Sequence, residues 1–543
     1  MLYNKQYIQS LGLVRKTLVT IAICAFVGQM LLDISLENIL SNLLALGAFV
    51  TACLVVFSYR NVSVGSALSA TVVFLMISAN SLAPMIGTLL EGNPITETLT
   101  VPVTVFTHRL TFAVCLLFAH YLAASSSSLA IRVAISQISR RLKIKVLIPP
   151  ESLWVVGAIG LFAILLKFFH PPVVVSKILD GFAYLMPAPF LLMLPPYYSK
   201  ARIKKEKVRL ILYYLLQVVF SLVYNTRMAM VLPIGIVASG WLLTLLTGQT
   251  IVNQKTIQTG IIRGIVGLFL IGQFADFSTA ILIERAQRDN RSGMEQLSAT
   301  FNRFLDKKAL ANYHDEQLEL LKGVLAEQEW QENYVRNPFL ARFIQVKFDD
   351  NCLYRIASFS QTELDILREV TIQKVMIQLP QPVLDLFAID IDKKYISSFS
   401  IGDEIDALSS GAEGGFKTGS IPSHAFALFY WAYPVVLVVL YYLIFSVYHG
   451  FFSPFKVRSM KGRQIPTLAL LLGFTIYTNI SLDGVDVLVG TLLRGIIQVI
   501  LIYAIALWII KQLKFPVNTK ISKTKSQPDT SSQPDVELDP LLT

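Results

Sequence analysis

Between residues 17 and 511 the sequence breaks into about twelve apolar segments, each near the ~20 helical residues that cross a bilayer core. They fall at 17–36, 39–57, 67–90, 101–124, 152–170, 175–197, 208–225, 227–247, 260–283, 424–447, 465–482 and 485–511. No other feature constrains the chain as strongly. In lipid every backbone N–H and C=O must be bonded within the protein, so segments of this length become helices. Composition agrees: 54% of residues are hydrophobic and 15% charged, against about 25% charged in soluble domains. A soluble enzyme, a disordered chain and a disulfide scaffold are excluded. The expected fold is an all-α integral membrane protein. The first segment is too long for a cleaved signal peptide, and no small-x-small cleavage site follows it. The segment 175–197 holds Pro187, Pro189, Pro195 and Pro196 and is expected to be kinked or broken.

Lysine and arginine in the short loops set the expected orientation. With Lys5, Arg15 and Lys16 placed in the cytoplasm, alternation puts Arg132, Arg140, Arg141, Lys143 and Lys145 on the same side. The cluster from Lys200 to Arg209, Lys255, Lys456–Arg463 and Lys511–Lys525 follow them there. The short outer loops hold Asp33, Glu37, Glu91, Glu97, Asp483 and Asp486 instead. The net charge of +11 is therefore a topology signal. The insertion 284–423 carries 16 Lys and Arg against 22 Asp and Glu, a net of −6, which leaves +17 for the rest, nearly all cytoplasmic. No nucleic-acid partner is expected on that distribution. The chain divides into spans one to nine (1–283), an extracytoplasmic domain (284–423), spans ten to twelve (424–511) and a disordered cytoplasmic tail (512–543).

The insertion has helical patterning. Leu297, Phe301, Phe304, Leu305, Leu318, Leu321 and Leu325 recur at helical spacing across 295–333. Ser360 and Glu363 form a capping box ahead of a helix over 361–378, which Pro380 and Pro382 end. Gly411, Gly414, Gly415 and Gly419 make a flexible link into the next span. The bulky stretch Arg336–Phe348 either lies along the membrane interface or is plain packing. Cys352 is alone in this region, so no disulfide forms inside it. No Walker loop, GxGxxG, HExxH, GxSxG or Cys/His metal cluster is present, and neither a metal nor another cofactor is expected.

Ionisable residues gather at the outer ends of the spans rather than at their centres. Arg227 sits in the turn Tyr224-Asn225-Thr226-Arg227 on the outer side, against the positive-inside trend. A guanidinium there either grips phosphate by bidentate hydrogen bonds or snorkels to headgroups. His424 opens the tenth span, where an imidazole either accepts a proton from a sugar hydroxyl or marks the interface, as Trp431 and Tyr433 do. Arg285, Arg288 and Arg291 follow the ninth span, and Arg336, Arg342 and Arg355 lie in the insertion. Each set lines an anionic site or forms an ordinary solvated face. His108-Arg109 near the outer end of the fourth span is a further polar pair.

Two of these stretches resemble the superfamily of O-antigen polymerases and ligases, with exopolysaccharide repeat-unit polymerases. The hairpin Tyr224–Met230 is similar to that family's Ser/Thr-Arg-small turn. The stretch Pro422-Ser423-His424-Ala425-Phe426 resembles the His-Asn opening of the span that follows its long outer loop, with Ala425 where Asn is usual. Asn337–Phe348 with Asp350-Asn351, Leu379-Pro380-Gln381-Pro382 and Gly402-Asp403 are similar to the repeat-unit polymerases. The resemblance covers roughly 220–450. It implies a metal-independent membrane glycosyltransferase of a bacterial inner membrane, multi-pass, with both termini cytoplasmic. It would transfer a glycan from polyprenyl pyrophosphate to a sugar hydroxyl of a lipid-linked repeat unit. Arg227 and His424 would act in catalysis, and Arg285, Arg288, Arg291, Arg336, Arg342 and Arg355 would hold pyrophosphate and glycan. Partners would be polyprenyl-pyrophosphate-linked oligosaccharides, the bilayer, a chain-length regulator and export machinery. A ligase with a different acceptor, or a flippase of lipid-linked glycans, is the alternative.

Overall fold

The computed structural model describes residues 5–58, 65–167, 169, 173–223, 228–284, 293–313, 330–332, 334–335, 337, 340–411, 414–415, 417–452, 455–456, 463–481 and 483–515. These residues are helical apart from loops and a two-residue antiparallel pairing of Phe455–Lys456 with Arg463–Gln464. In chain order the helices are α1 (Lys5–Leu32), α2 (Leu36–Val56), α3 (Ala67–Asn80), α4 (Leu82–Leu90), α5 (Pro102–Ala124), α6 (Leu129–Arg141), α7 (Pro150–Lys167) and α8 (Val173–Phe182). Then come α9 (Lys200–Val223), α10 (Met228–Leu246), α11 (Gln254–Ile283) and α12 (Gly293–Leu305). The insertion continues with α13 (Val346–Ile356), α14 (Gln361–Met376), α15 (Gln381–Leu386), α16 (Lys393–Ile396) and α17 (Ile401–Ser410). Last are α18 (Ile421–Phe429), α19 (Tyr433–Phe452), α20 (Thr467–Ile480), α21 (Val485–Gly490) and α22 (Ile496–Gln512).

Seven helical segments among the described residues are long and apolar enough to cross a membrane: Lys5–Leu32, Leu36–Val56, Ala67–Leu90, Pro102–Ala124, Pro150–Lys167, Ile421–Phe451 and Val485–Gln512. The protein is therefore a multi-pass helical membrane protein. Five further expected spans are not among these seven. Three are the shorter apolar segments Ile178–Met193, Val231–Leu246 and Thr467–Ile480. The other two are α9, which opens with the charged run Lys200–Arg209, and α11.

Proline decides where several segments break. The stretch 175–197 divides into α8 and 3₁₀ turns at Ala183–Leu185 and Ala188–Met193, as its prolines dictate. The segment 67–90 also breaks, at Ser81. Pro84 has no N–H to give the Asn80 carbonyl, and the helix restarts as α4 at Leu82. Inside the last span, a π-helical turn at Thr491–Gly495 joins α21 to α22.

The bundle has two unlike ends. At one, α1 stops beside α4: Gln29 Nε2 donates to the Met85 carbonyl (2.9 Å) and to Thr88 Oγ1 (2.8 Å), and its Oε1 accepts from Ile95 N–H (2.8 Å). The insertion packs on this end. Tyr334, Val335, Ala341, Ile344 and Val346 share one apolar cluster with Ala25, Met85, Val105 and Phe106. The stretch around 340–348 is thus packed inside the protein, which decides between its two sequence readings. At the other end the basic loops gather. There Thr467 N–H donates to the Val146 carbonyl (3.1 Å), Tyr197 and Thr467 hydroxyls meet at 2.6 Å, and Tyr7 donates to the Leu246 carbonyl (2.6 Å).

Candidate functional site

The seam between insertion and bundle is polar, although it is buried. Arg109 lies two turns inside α5, where a cation needs a partner. It receives one from α13. Arg109 Nε and Nη2 both reach Asp349 Oδ2, and the two side chains are 2% and 0% exposed. Arg109 Nη2 also donates to the Gln345 carbonyl (3.3 Å). The other Asp349 oxygen accepts from Ser420 and from Ser423 (3.1 Å) at the start of α18. Burial pushes the Asp349 carboxyl above the usual carboxylate range, against the pull of Arg109 and the two serine hydroxyls. Gln345 extends the network. Its Nε2 donates to Tyr477 Oη (3.2 Å) and Ser481 Oγ (3.1 Å) on α20, and its Oε1 accepts from Asn80 Nδ2 of α3 (3.3 Å).

The next residue, Asp350, serves the start of α5. Its Oδ1 accepts from the N–H groups of Thr100 and Val101, both at 2.8 Å, where the free amides of a helix N-terminus attract an anion. Its Oδ2 accepts from Lys347 Nζ (2.7 Å). Two adjacent aspartates on α13 thus fix α5 twice, at its first amides and at Arg109. The Cys352 thiol, one turn on, is fully buried, and burial pushes its pKa up.

His424 lies beneath this network on α18 and is fully buried. Its Nδ1 accepts from Val485 N–H (3.1 Å), so the ring proton sits on Nε2. That proton goes to Thr371 Oγ1 of α14 (2.9 Å), whose own hydroxyl donates to the Leu367 carbonyl (2.7 Å). In this state His424 is a neutral imidazole with both nitrogens engaged. Gly484 has no room for a side chain: a Cβ there would lie 2.4 Å from Asp486 Oδ1 and 2.6 Å from His424 Nδ1. Asp486 Oδ1 is buried and accepts no hydrogen bond among the described residues. Asp483 closes the turn at φ +78°, and its Oδ1 accepts from Ile401 N–H (3.2 Å). Burial raises its carboxyl as well. Lys374 Nζ, donating to the carbonyls of Ile396 (3.1 Å) and Phe399 (2.6 Å), is the cation facing this group.

Arg355 belongs to a separate cluster. It pairs with Asp406, which also takes Lys417, and its guanidinium stacks 5.2 Å from the Trp330 ring centroid. Those partners give it a packing role inside the insertion. Arg227, Arg285, Arg288, Arg291 and Arg336 lie outside the described residues, and of Arg342 only the backbone, in the 3₁₀ turn Leu340–Phe343, is described. His108 stacks on Trp431 (5.7 Å), meets Phe426 edge-on (4.8 Å) and shares a hydrogen bond with Tyr433 Oη (2.9 Å). It is an interior anchor of α5 against α18 and α19.

Among the residues that join insertion to bundle are Arg109, Gln345, Asp349, Asp350, Ser420 and Ser423. Of these, sequence reasoning singled out Arg109 only as half of a polar pair, and Asp349 not at all. An arginine within an apolar run and two consecutive aspartates among bulky side chains were the available signals. What pairs them is 240 residues of chain separation, which spacing does not encode. Between α19, α20 and α22 a shallow cleft is lined by Tyr448, Leu472, Thr475, Asn479, Thr491 and Ile500, beside the π-helical turn. No family model matches the chain, and neither a curated protein nor a solved structure is significantly similar to it.

Proposed function

We propose that this chain is a polysaccharide repeat-unit polymerase. It transfers a glycan from polyprenyl pyrophosphate to a sugar hydroxyl of a lipid-linked repeat unit at the outer face of a bacterial inner membrane. The observation that carries this reading is the docking of one polar, helical insertion on a single end of the span bundle, opposite the basic loops. By the positive-inside rule the insertion then faces outward and the basic loops of a twelve-span chain face the cytoplasm, with both termini there. Lipid-linked glycans are presented at such an outer boundary.

In this mechanism the diphosphate leaving group supplies the driving force, so no nucleotide is consumed outside. Arg227 stabilises the charge that develops on the diphosphate, the term that usually contributes most to such a rate. Arg285, Arg288, Arg291, Arg336 and Arg342 extend that cationic surface. His424 takes or orients the acceptor proton, for which its ring exchanges the Val485 N–H for the acceptor hydroxyl. The insertion holds both glycans and lowers the entropic barrier.

Three experiments test this. In cells, Arg227→Ala is expected to abolish long-chain polysaccharide while single repeat units accumulate on carrier lipid; retained chain growth removes Arg227 from the mechanism. Purified protein is expected to elongate lipid-linked repeat units without ATP or an ion gradient, and failure there refutes the polymerase reading. For His424, replacement by Gln with an unchanged rate reduces it to a packing residue.

A further inference from the structure

We infer that the C-terminal half of α14 and the turn after it form a lipid-seated ledge, which rests the insertion on the headgroup region of the bilayer. The inference depends on the membrane spans and not on the chemistry proposed above.

Two markers on the spans give the depth of the boundary. The first is the break between α18 and α19, where Tyr430 takes φ +52° and exposes its ring together with Trp431 (66% and 58% exposed). Exposed Tyr and Trp at the mouth of a span settle at the headgroup level. The second is Arg494, exposed on the π-helical turn within an otherwise apolar span, whose charge must reach the same level from the other side.

Helix α14 connects these markers. Arg368 Nε donates to the carbonyl of Leu428 (3.3 Å), beside the aromatic break. At its far end Gln378 lies against Gly490, one turn from Arg494: a Cβ on Gly490 would meet Gln378 Cδ at 3.2 Å. Arg368 stands at mid-helix and Gln378 just beyond the C-terminus, so the C-terminal half of α14 runs from one marker to the other along the boundary. Its inward face is Leu367, Thr371 and Lys374, all buried. Away from that face the N-terminal half of α14 carries Gln361, Asp365 and Glu369, whereas the C-terminal half carries Ile372, 57% exposed, with Met376 and Leu379 following at helical spacing. Beyond Pro380 the chain presents Leu386 (79% exposed) and Phe387 (67% exposed), turned out by Ala388 at φ +52°. Lys393 Nζ ties this turn back to the Leu379 carbonyl (2.6 Å). Large apolar side chains this open, a short stretch of chain beyond the contact of Gln378 with Gly490 in the last span, fit the acyl–headgroup boundary.

The test uses full-length protein in liposomes of phosphatidylethanolamine and phosphatidylglycerol. Nitroxide labels are placed by Ile372→Cys, Phe387→Cys and, as a reference in water, Gln361→Cys, in a chain whose exposed Cys24 is replaced by Ser. At 372 and 387 collisions with oxygen are expected to exceed those with a water-soluble nickel chelate severalfold, while position 361 shows the reverse. Chelate access at 387 equal to that at 361 overturns the ledge. Exclusion of both reagents overturns it too, because it means that another protein surface covers the turn. Should Ile372→Cys fail to fold, Phe387→Cys alone decides, since its side chain touches no core.

Discussion

The two ends of the helix bundle are joined by different chemistry. At the insertion end, charged side chains are buried and paired: Arg109 with Asp349, Lys347 with Asp350, Arg355 with Asp406. At the basic end, neutral groups make the links. Ser69 Oγ lies 2.5 Å from His449 Nε2 and 2.8 Å from His120 Nδ1. His449 Nδ1 donates to the Ala123 carbonyl (3.0 Å), which leaves Nε2 an acceptor facing the Ser69 hydroxyl; that hydroxyl also lies 3.0 Å from the Ser66 carbonyl. Buried charge pairs hold one geometry or lose much of their energy, whereas neutral hydrogen bonds between spans contribute modestly and tolerate replacement. The insertion end is thus built as one rigid seat, and the basic end as a set of separate stitches.

Breaking the seat is the strongest test of that contrast. Asp349→Ala strands Arg109 in a dry site together with the hydroxyls of Ser420 and Ser423. A loss of about 3–5 kcal/mol is expected, as for other buried pairs that lose one partner. Thermal unfolding in detergent, followed by helical circular dichroism, reads it. Replacing both partners by apolar residues, Arg109→Met with Asp349→Leu, is expected to recover much of that loss. If the single and double variants unfold alike, the pair does not organise the seam.

A smaller loss is expected at His424. Thr371→Val keeps the shape of the side chain and removes the acceptor for the Nε2 proton. A buried donor left without a partner costs about 1–3 kcal/mol. The same substitution frees the ring on that side, so the histidine Nε2 resonance in nitrogen NMR is expected to move while that of His449 stays put. An unmoved His424 signal would mean that Thr371 does not hold the ring.

Ser69→Ala carries the comparison to the basic end. It removes the hydroxyl between the two histidines, yet measured interhelical hydrogen bonds within membranes average about 0.6 kcal/mol. A loss near that size is expected, well below that of Asp349→Ala. A loss of equal size would erase the distinction between the ends.

Much of this contrast was already legible in the chain. Spans, loop charges and the one-sided insertion follow from apolar run length and the placement of Lys and Arg. The capping box of Ser360 with Glu363 forms as expected, and Gly411 closes α17 in the left-handed conformation. The prolines of 175–197 break that segment. These features are local, so a short window of sequence contains their cause. Pro380 does more than end α14, because it also caps α15. The pairing of Arg109 with Asp349 and of His424 with Thr371 and Val485 is not local. It depends on which helices become neighbours, and periodicity carries no such information. The break at Ser81 lies between: Pro84 announced it, but the surrounding apolar run read as one continuous span.

The last prediction concerns the loop charge that is expected to set orientation. Helix α6 ends in a Schellman motif: Lys143 N–H bonds the Arg140 carbonyl (3.2 Å) and Ile144 N–H the Ser139 carbonyl (3.2 Å). The left-handed position of that motif usually holds glycine, yet Lys143 occupies it at φ +55°, while Ile144 is buried. A lysine there accepts backbone strain in return for a positive charge in the loop. Lys143→Gly is therefore expected to be neutral or to stabilise by up to about 1 kcal/mol, since glycine adopts this conformation freely. Orientation is expected to survive, because Arg140, Arg141 and Lys145 remain in the same loop. Removing all four charges together is a different experiment. If tags then report part of the bundle inverted while Lys143→Gly alone leaves it in place, the loop acts through summed charge. The residues of the basic end are then interchangeable in a way that Arg109 and Asp349 are not.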